Sequence, residues 1–279
     1  MDSPCALRGD LGRAIRLDDR RRQGYAARMT RRLSLAIFAL SLSAFASAAH
    51  AADGAPLAYW PFDGDLADAS AGGVALMNSY KKLEYVAGVA GQAIAFTWEK
   101  RDYLRTPKPA QLPLEGDFTV SGWFKAEMGP ARNSIQGLIS RWAYDGKAQF
   151  DLALHGQKLA ALLTTDGTKP IELKHPTLVD FEIWYYLAFT YHAESKTAAL
   201  YLALKDEPSL DDAATKVLDA PLHVQEETAL TIGFSQLGGR FYNGAIDEVV
   251  IWSRALSSKE LAEIFARGKA GQPALGGKR

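Results

Sequence analysis

The segment Phe241-Tyr-Asn-Gly-Ala-Ile-Asp-Glu-Val-Val-Ile-Trp252 constrains the fold more than any other stretch of this chain. It opens on an Asn243-Gly244 turn signal and runs straight into a strand. Strict alternation sets Ile246, Glu248, Val250 and Trp252 on one face, and Asp247, Val249 and Ile251 on the other. A strand apolar on most of both faces is covered on both sides. It therefore belongs in the middle of a sheet that packs on a second sheet. Asp247 is the exception, because a carboxylate inside such a run needs a cation, backbone N–H groups or water.

The rest of the chain reads as short β-rich runs between turn signals. Leu57–Phe62 is a first strand that Pro61 confines to an edge or a bulge. Leu83–Val86 and Gln92–Phe96 are separated by Gly88 and Gly91. Phe118–Ala126, Gly137–Ala143, Phe150–His155 and Lys158–Thr165 follow, the last two joined by a tight turn. Ile183–His192 and Thr197–Leu204 form a hairpin about Glu194-Ser195-Lys196, and Ala229–Phe234 precedes the anchor strand. The pattern predicts an all-β antiparallel sandwich or jelly roll. One short C-terminal helix is expected, with Ser257 as N-cap, Glu260 closing a capping box and Gly268 as the stop. Lys205–Lys216 is charged and reads as a solvated loop.

The two ends read differently from this body. Residues 1–28 are Arg-rich without an apolar period and read as a non-native extension. Met29-Thr-Arg-Arg, the apolar run Leu33–Ala48 and Ala49-His50-Ala51 form the n-region, h-region and A-x-A site of a signal peptide over 29–51. That run is about 16 residues, short of the roughly 20 that span a bilayer. A secreted or periplasmic product without stable membrane insertion is therefore expected. The jelly roll should occupy 52–267, and 268–279, rich in Gly, Pro and Lys, should be a disordered tail. The only cysteine, Cys5, falls outside that body, which excludes disulfide and thiol chemistry there. Removing residues 1–51, with their nine Arg and four Asp, leaves 23 basic and 28 acidic residues and a net charge of −5. An acidic surface argues against nucleic acid as the main partner.

Taken in order, several pieces resemble the laminin-G-like jelly roll of the concanavalin A-like lectin and glucanase superfamily. They are Tyr59-Trp-Pro-Phe-Asp-Gly64, Gly91-Gln-Ala-Ile-Ala-Phe96, Phe118-Thr-Val-Ser-Gly-Trp-Phe-Lys125, Trp184-Tyr-Tyr-Leu-Ala188, Leu230-Thr-Ile-Gly233, the anchor segment, and Arg254-Ala-Leu-Ser257 with its helix. The resemblance implies two curved antiparallel sheets and a role in binding glycans or cell-surface proteins. It also implies a structural calcium ion, held at the positions of Asp63, the Gly91 carbonyl and Asp247. The residues themselves leave a second account open, in which Asp63 and Asp68 organise turns and Asp247 caps backbone donors.

Hydrolases of this fold carry alternating acids, Glu-x-Asp-x-x-Glu, in a cleft. Here the matching text is Ala245-Ile-Asp247-Glu-Val-Val250, without the first and last acids, so no catalytic residue is assigned. Two loop stretches offer aromatics beside charges, the chemistry that stacks on sugars and fixes their orientation. One supplies Arg141, Trp142 and Tyr144, the other Trp98 and Arg101. The expectation is an exported, non-catalytic binding module for an extracellular glycan or polysaccharide. Its rivals are a glycoside hydrolase or polysaccharide lyase on the same fold, and a protein-interaction scaffold of the cell envelope.

Overall fold

The computed structural model describes residues 54–79, 82–107, 112–131, 134–143, 147–210 and 213–276. Two compact units divide the chain, Met1–Asp53 and Gly54–Arg279, and every described residue belongs to the second. The expected extension and signal peptide, Tyr144, and residues 277–279 of the tail lie outside the described residues.

Two antiparallel sheets face each other. Sheet A runs β13 (Ala214–Val217), β12 (Thr197–Leu204), β11 (Trp184–His192), β6 (Phe118–Ala126), β17 (Gly244–Trp252), β4 (Gln92–Phe96) and β3 (Glu84–Ala87), and β1 (Ala58–Trp60) also pairs with β17. Sheet B runs β10 (Ile171–Leu178), β9 (Lys158–Leu163), β8 (Ala148–His155), β7 (Ile135–Trp142), β14 (Thr231–Ile232), β5 (Leu104–Arg105) and β2 (Met77–Asn78). A separate hairpin, β15 (Phe234–Ser235) and β16 (Arg240–Phe241), completes the strands. Between the sheets lies a core that includes Trp60, Phe118, Phe124, Phe150, Phe189 and Tyr191. The Phe118 ring sits 5.6 Å from Phe150 and 5.7 Å from Phe189, so three strands of two sheets meet at one aromatic centre.

The anchor segment is central, as its composition requires. β17 pairs with β6 along one side; along the other it pairs with β4 at Gly244–Ile246 and with β1 at Val249–Ile251. Its alternation, however, breaks. A bulge between Asp247 and Val250 inserts one residue against Trp123 and Ser121 of β6, and Glu248 takes a positive φ of 52° there. After the bulge the faces exchange. Ile246, Val249 and Ile251 all point into the core between the sheets, while Val250 and Trp252 point to the outer side of sheet A. Gly122 on β6 makes room for this kink: a Cβ there would lie 3.1 Å from the Val249 side chain.

The outer side of sheet A is partly covered by α1 (Ser258–Lys269). Ser257 caps it, and both halves of the capping box with Glu260 are formed. Leu261, Ile264 and Phe265 are its buried stripe, and the Phe265 ring stacks on Trp123 at 5.6 Å. Gly268 does not stop the helix; it lies inside it, because a Cβ there would fall 2.5 Å from the Trp123 ring. The chain turns instead after Lys269, with Gly271 at φ +70°. Residues 270–276 are not a disordered tail either: Ala274 is buried against sheet A and its amide donates to Glu248 Oε2 at 2.5 Å.

Two further differences have plain causes. β10 is not among the strands expected from sequence, and it contains Pro176. It is the edge strand of sheet B and its register shifts between Lys174 and Leu178, so the missing N–H breaks no ladder. The charged insertion is not loop throughout, because Ala214–Val217 pairs with β12 as β13.

Candidate functional site

α1 covers part of sheet A's outer side and leaves beside it a pocket of about 440 Å³ lined by Pro208, Leu210, Phe265 and Lys269, whereas among the described residues the outer face of sheet B carries no helix. Register defines what stands on it. The row Leu173, Ala161, Leu152, Ile139, Ile232 and Leu104 points into the core. The next row, Glu172, Leu162, Asp151, Ser140, Thr231, Arg105 and Met77, therefore points outward across all seven strands.

The β15–β16 hairpin lies over β7 in the middle of this face. Gly137 is what lets it approach: a Cβ there would come within 2.3 Å of the Ser235 amide nitrogen. Gly238 and Gly239 turn the hairpin at its tip with φ of +81° and +66°. Leu237, at that tip, packs on Trp142 and Leu162.

On the β5 side of the hairpin stands an aromatic cluster. Tyr103 lies 4.7 Å from Phe234, and Phe234 lies 4.6 Å from Phe241, its direct partner across the hairpin. All three rings are only half-buried. Tyr103 is fixed by Ser79, whose hydroxyl donates to the Tyr103 carbonyl at 2.9 Å and accepts its amide at 3.2 Å. The loop leading to Tyr103 carries Trp98 and Arg101, both exposed, with Arg101 at φ +56°. Asn243 anchors the loop, accepting the Trp98 amide and donating to the Met128 carbonyl at 3.0 Å. The expected pair Trp98 and Arg101 thus borders an aromatic surface that the sequence reading did not assemble. A Gly-Gly turn with phenylalanines paired at both strand ends was the available signal.

On the β8 side the face is polar. Asp151 is fully buried beneath the hairpin, beside Ser140 and Ser235. Burial pushes its carboxyl up to about 6, against the two hydroxyls and the Arg240 charge. His155 Nδ1 lies 3.1 Å from Glu172 Oε1, which Lys174 reaches at 2.9 Å. Burial, with Arg240 and Lys174, pushes the His155 imidazole down, and Glu172 opposes them.

The other expected ligand group does not form one site. Arg141 and Trp142 are neighbours on β7 and point to opposite faces. Trp142 packs with Ala148 and Leu162 on the outer face and is 5% exposed. Arg141 points inward; its Nη1 donates to the Leu112 carbonyl at 2.8 Å and its Nε to the Thr228 carbonyl at 3.2 Å. Its side chain also borders a pocket of about 150 Å³ with Glu115 and Glu226. Burial pulls its pKa down to about 10 in spite of those two acids.

The expected cation ligands do converge, on the β3–β4 turn. Asp63 Oδ1 accepts the Gln92 amide at 2.8 Å, and the Gly91 carbonyl accepts the Gly88 amide at 3.0 Å. Asp247 Oδ2 accepts the Val89 and Ala90 amides at 2.7 and 3.2 Å, while its buried Oδ1 receives no hydrogen bond. Burial and the neighbouring Glu248 charge push Asp247 up to about 8, against the amides of Ala90, Val89 and Glu248. Asp68 organises a turn, accepting the Tyr59, Ser70 and Val74 amides. Two carboxylates and a carbonyl around one turn are hard oxygen donors of the kind calcium takes. Among the described residues no three His, Cys, Asp or Glu side chains gather, so a cation here would draw further ligands from carbonyls and water.

With this geometry in place, the chain belongs to the concanavalin A-like lectin/glucanases superfamily, whose family model matches residues 99–262. Among solved structures it is similar to the binding domain of botulinum neurotoxin DC in complex with SialylT, at 11% identity and a TM-score of 0.58, covering 77% of this chain and 52% of that one. It is also similar to the binding domain of Paraclostridial Mosquitocidal Protein 1, at 15% identity and a TM-score of 0.58, covering 76% and 52%. A third similarity is to domain 4 of AbnA, a GH43 extracellular arabinanase from Geobacillus stearothermophilus, in complex with arabinotriose. There the identity is 16% and the TM-score 0.54, covering 75% of this chain and 98% of that one. The chain spans about half the length of the toxin binding domains, and at these identities the likeness is one of fold. No curated protein sequence matches the chain. Among the described residues no helix is long and apolar enough to cross a membrane.

Proposed function

We propose that this protein is an exported carbohydrate-binding module whose ligand lies on the outer face of sheet B. The observation that carries the reading is the half-buried cluster Tyr103, Phe234 and Phe241, held on that face by the β15–β16 hairpin and bordered by Trp98 and Arg101. Rings left partly open beside polar groups suit the C–H faces and hydroxyls of sugars. The related solved domains include ones in complex with SialylT and with arabinotriose, which supports this ligand class.

The arrangement of acids favours binding over hydrolysis. Asp151 and Glu172 stand in the same row two strands apart, and Asp151 is sealed beneath the hairpin, out of reach of a glycosidic oxygen. We place a structural calcium ion at the turn of Asp63, Gly91 and Asp247, remote in role from the ligand face. The test of the reading is a binding screen of the protein against soluble polysaccharides, repeated with Phe234→Ala and Tyr103→Ala. Saturable binding weakened by both variants supports it. Binding untouched by either variant moves the ligand off this face.

A further inference from the structure

The half of the sheet B outer face on the β8–β10 side carries cations, whereas residues 52–279 as a body carry 23 basic and 28 acidic residues. Lys158 on β9 is exposed, beside its register partner His155. Lys174 on β10 keeps 42% of its side chain in solvent. Arg240 approaches from the hairpin, near enough to Asp151 and His155 to perturb both. Lys216 reaches over from β13 to the Glu172 carbonyl at 3.2 Å. Against these four cations stands Glu172, already engaged by Lys174 and His155. Asp151 is buried and contributes its charge only above its raised titration range.

This cationic half and the aromatic cluster share one face of sheet B, on either side of the hairpin, with Lys158 and Lys174 four and five strands from β5. Phe241 lies in the aromatic cluster, while its neighbour Arg240 pairs across the hairpin with Ser235, the residue beside Asp151. Resting on the glycan-binding reading above, we infer that the ligand is an acidic polysaccharide. Its sugar faces pack on Tyr103, Phe234 and Phe241, and its carboxylate or sulfate groups meet Lys158 and Lys174. Charge complementarity is the argument: a body, residues 52–279, of net charge −5 that gathers cations on the face bearing this aromatic cluster selects for an anion there. Lysines at exposed positions supply attraction that salt screens, so the preference should weaken steeply with ionic strength.

The experiment compares polygalacturonate with its fully methyl-esterified form, the same sugars without the charge, using the full chain at low and high NaCl. Heparin serves as a sulfated arm to separate sulfate from carboxylate recognition. The expected result is tighter binding of polygalacturonate than of its ester by about tenfold or more at low salt. That difference should vanish in Lys158→Glu/Lys174→Glu, whose residues are exposed and leave folding intact, while residual binding through the aromatic rings persists. Equal affinity for the two forms leaves the glycan reading standing and overturns the acidic preference. So does a double variant that keeps the preference. Binding of neither form, nor of heparin, overturns both. Capture instead of duplex DNA or phosphatidylglycerol vesicles, lost in the double variant, assigns the patch to another class of partner and also overturns the proposal.

Discussion

The Asp247 carboxylate accepts the Val89 amide at 2.7 Å, joining the central strand to a turn 158 residues earlier. Its folded-state pKa, raised to about 8, lies above the ordinary 3.8, so the folded protein holds a proton that the unfolded chain releases. A carboxyl raised in this way costs nothing below its unfolded pKa. It becomes progressively destabilising as pH climbs through the interval to the folded value. In chelator, the melting temperature should therefore fall between about pH 4 and pH 8, with a total cost on the order of 5 kcal/mol at most. Asp247→Asn, which keeps an acceptor for the two amides, should flatten that fall. A pH series of thermal melts that declines equally in both proteins would assign the effect elsewhere.

Calcium should act with the opposite pH trend. Ion binding needs both carboxylates ionised, so the stabilisation gained on adding calcium should be larger at pH 8 than at pH 5. Asp63→Asn and Asp247→Asn should each abolish it. Melts in chelator and in excess calcium that superimpose at both pH values would remove the ion from this turn.

Gly268 offers a test with an inverted sign. Replacing a mid-helix glycine by alanine ordinarily stabilises by about 1 kcal/mol. Here the new methyl would fall 2.5 Å from the Trp123 ring, so Gly268→Ala should instead destabilise by roughly 1–3 kcal/mol. Ser257→Ala, which removes the cap and not the packing, should cost about 1 kcal/mol. Denaturant midpoints of the two variants give both numbers.

Glu248 depends on the segment that follows the helix. Its Oε2 accepts the Tyr59 hydroxyl at 2.6 Å and the Ala274 amide. Tyr59→Phe should cost roughly 1–3 kcal/mol, since it withdraws a donor from a buried carboxylate. Ending the chain at Ala270 should cost at least as much, because the same carboxylate then loses Ala274 and its cover. A truncated protein as stable as the full chain would contradict the packing seen here.

Arg141 and Phe234 should separate stability from binding. Arg141→Ala withdraws the guanidinium from the Leu112 and Thr228 carbonyls and should lower the melting temperature. Phe234→Ala, at a half-buried ring on the ligand face, should mainly weaken glycan binding. The reverse outcome would return Arg141 to the ligand site expected from sequence.

Much of the architecture was legible because it rests on local pattern. The central place of β17 follows from its apolar composition, the β11–β12 hairpin from its turn at Lys196, and the helix start from Ser257 and Glu260. What escaped depends on distant partners. Periodicity cannot see the bulge at Glu248, since an inserted residue looks like any other until Trp123 and Ser121 stand opposite. The two-residue strands β2 and β5 exist through their pairing alone. The ligand face divides in the same way. Trp98 and Arg101 stood out as an aromatic beside a charge on one loop, whereas Tyr103, Phe234 and Phe241 meet only after sheet B and its hairpin have formed. Arg141 and Trp142 point to opposite faces of β7, a divergence that strand geometry alone makes readable from sequence.

The helix and the segment through Ala274 are stitched to sheet A, on the side away from the sugar-binding surface proposed for sheet B. The last described residues therefore lie on the opposite side of the two-sheet body from the proposed ligand face. A C-terminal fusion or surface tether would present the aromatic and cationic face outward, toward a matrix, without steric interference from its own attachment.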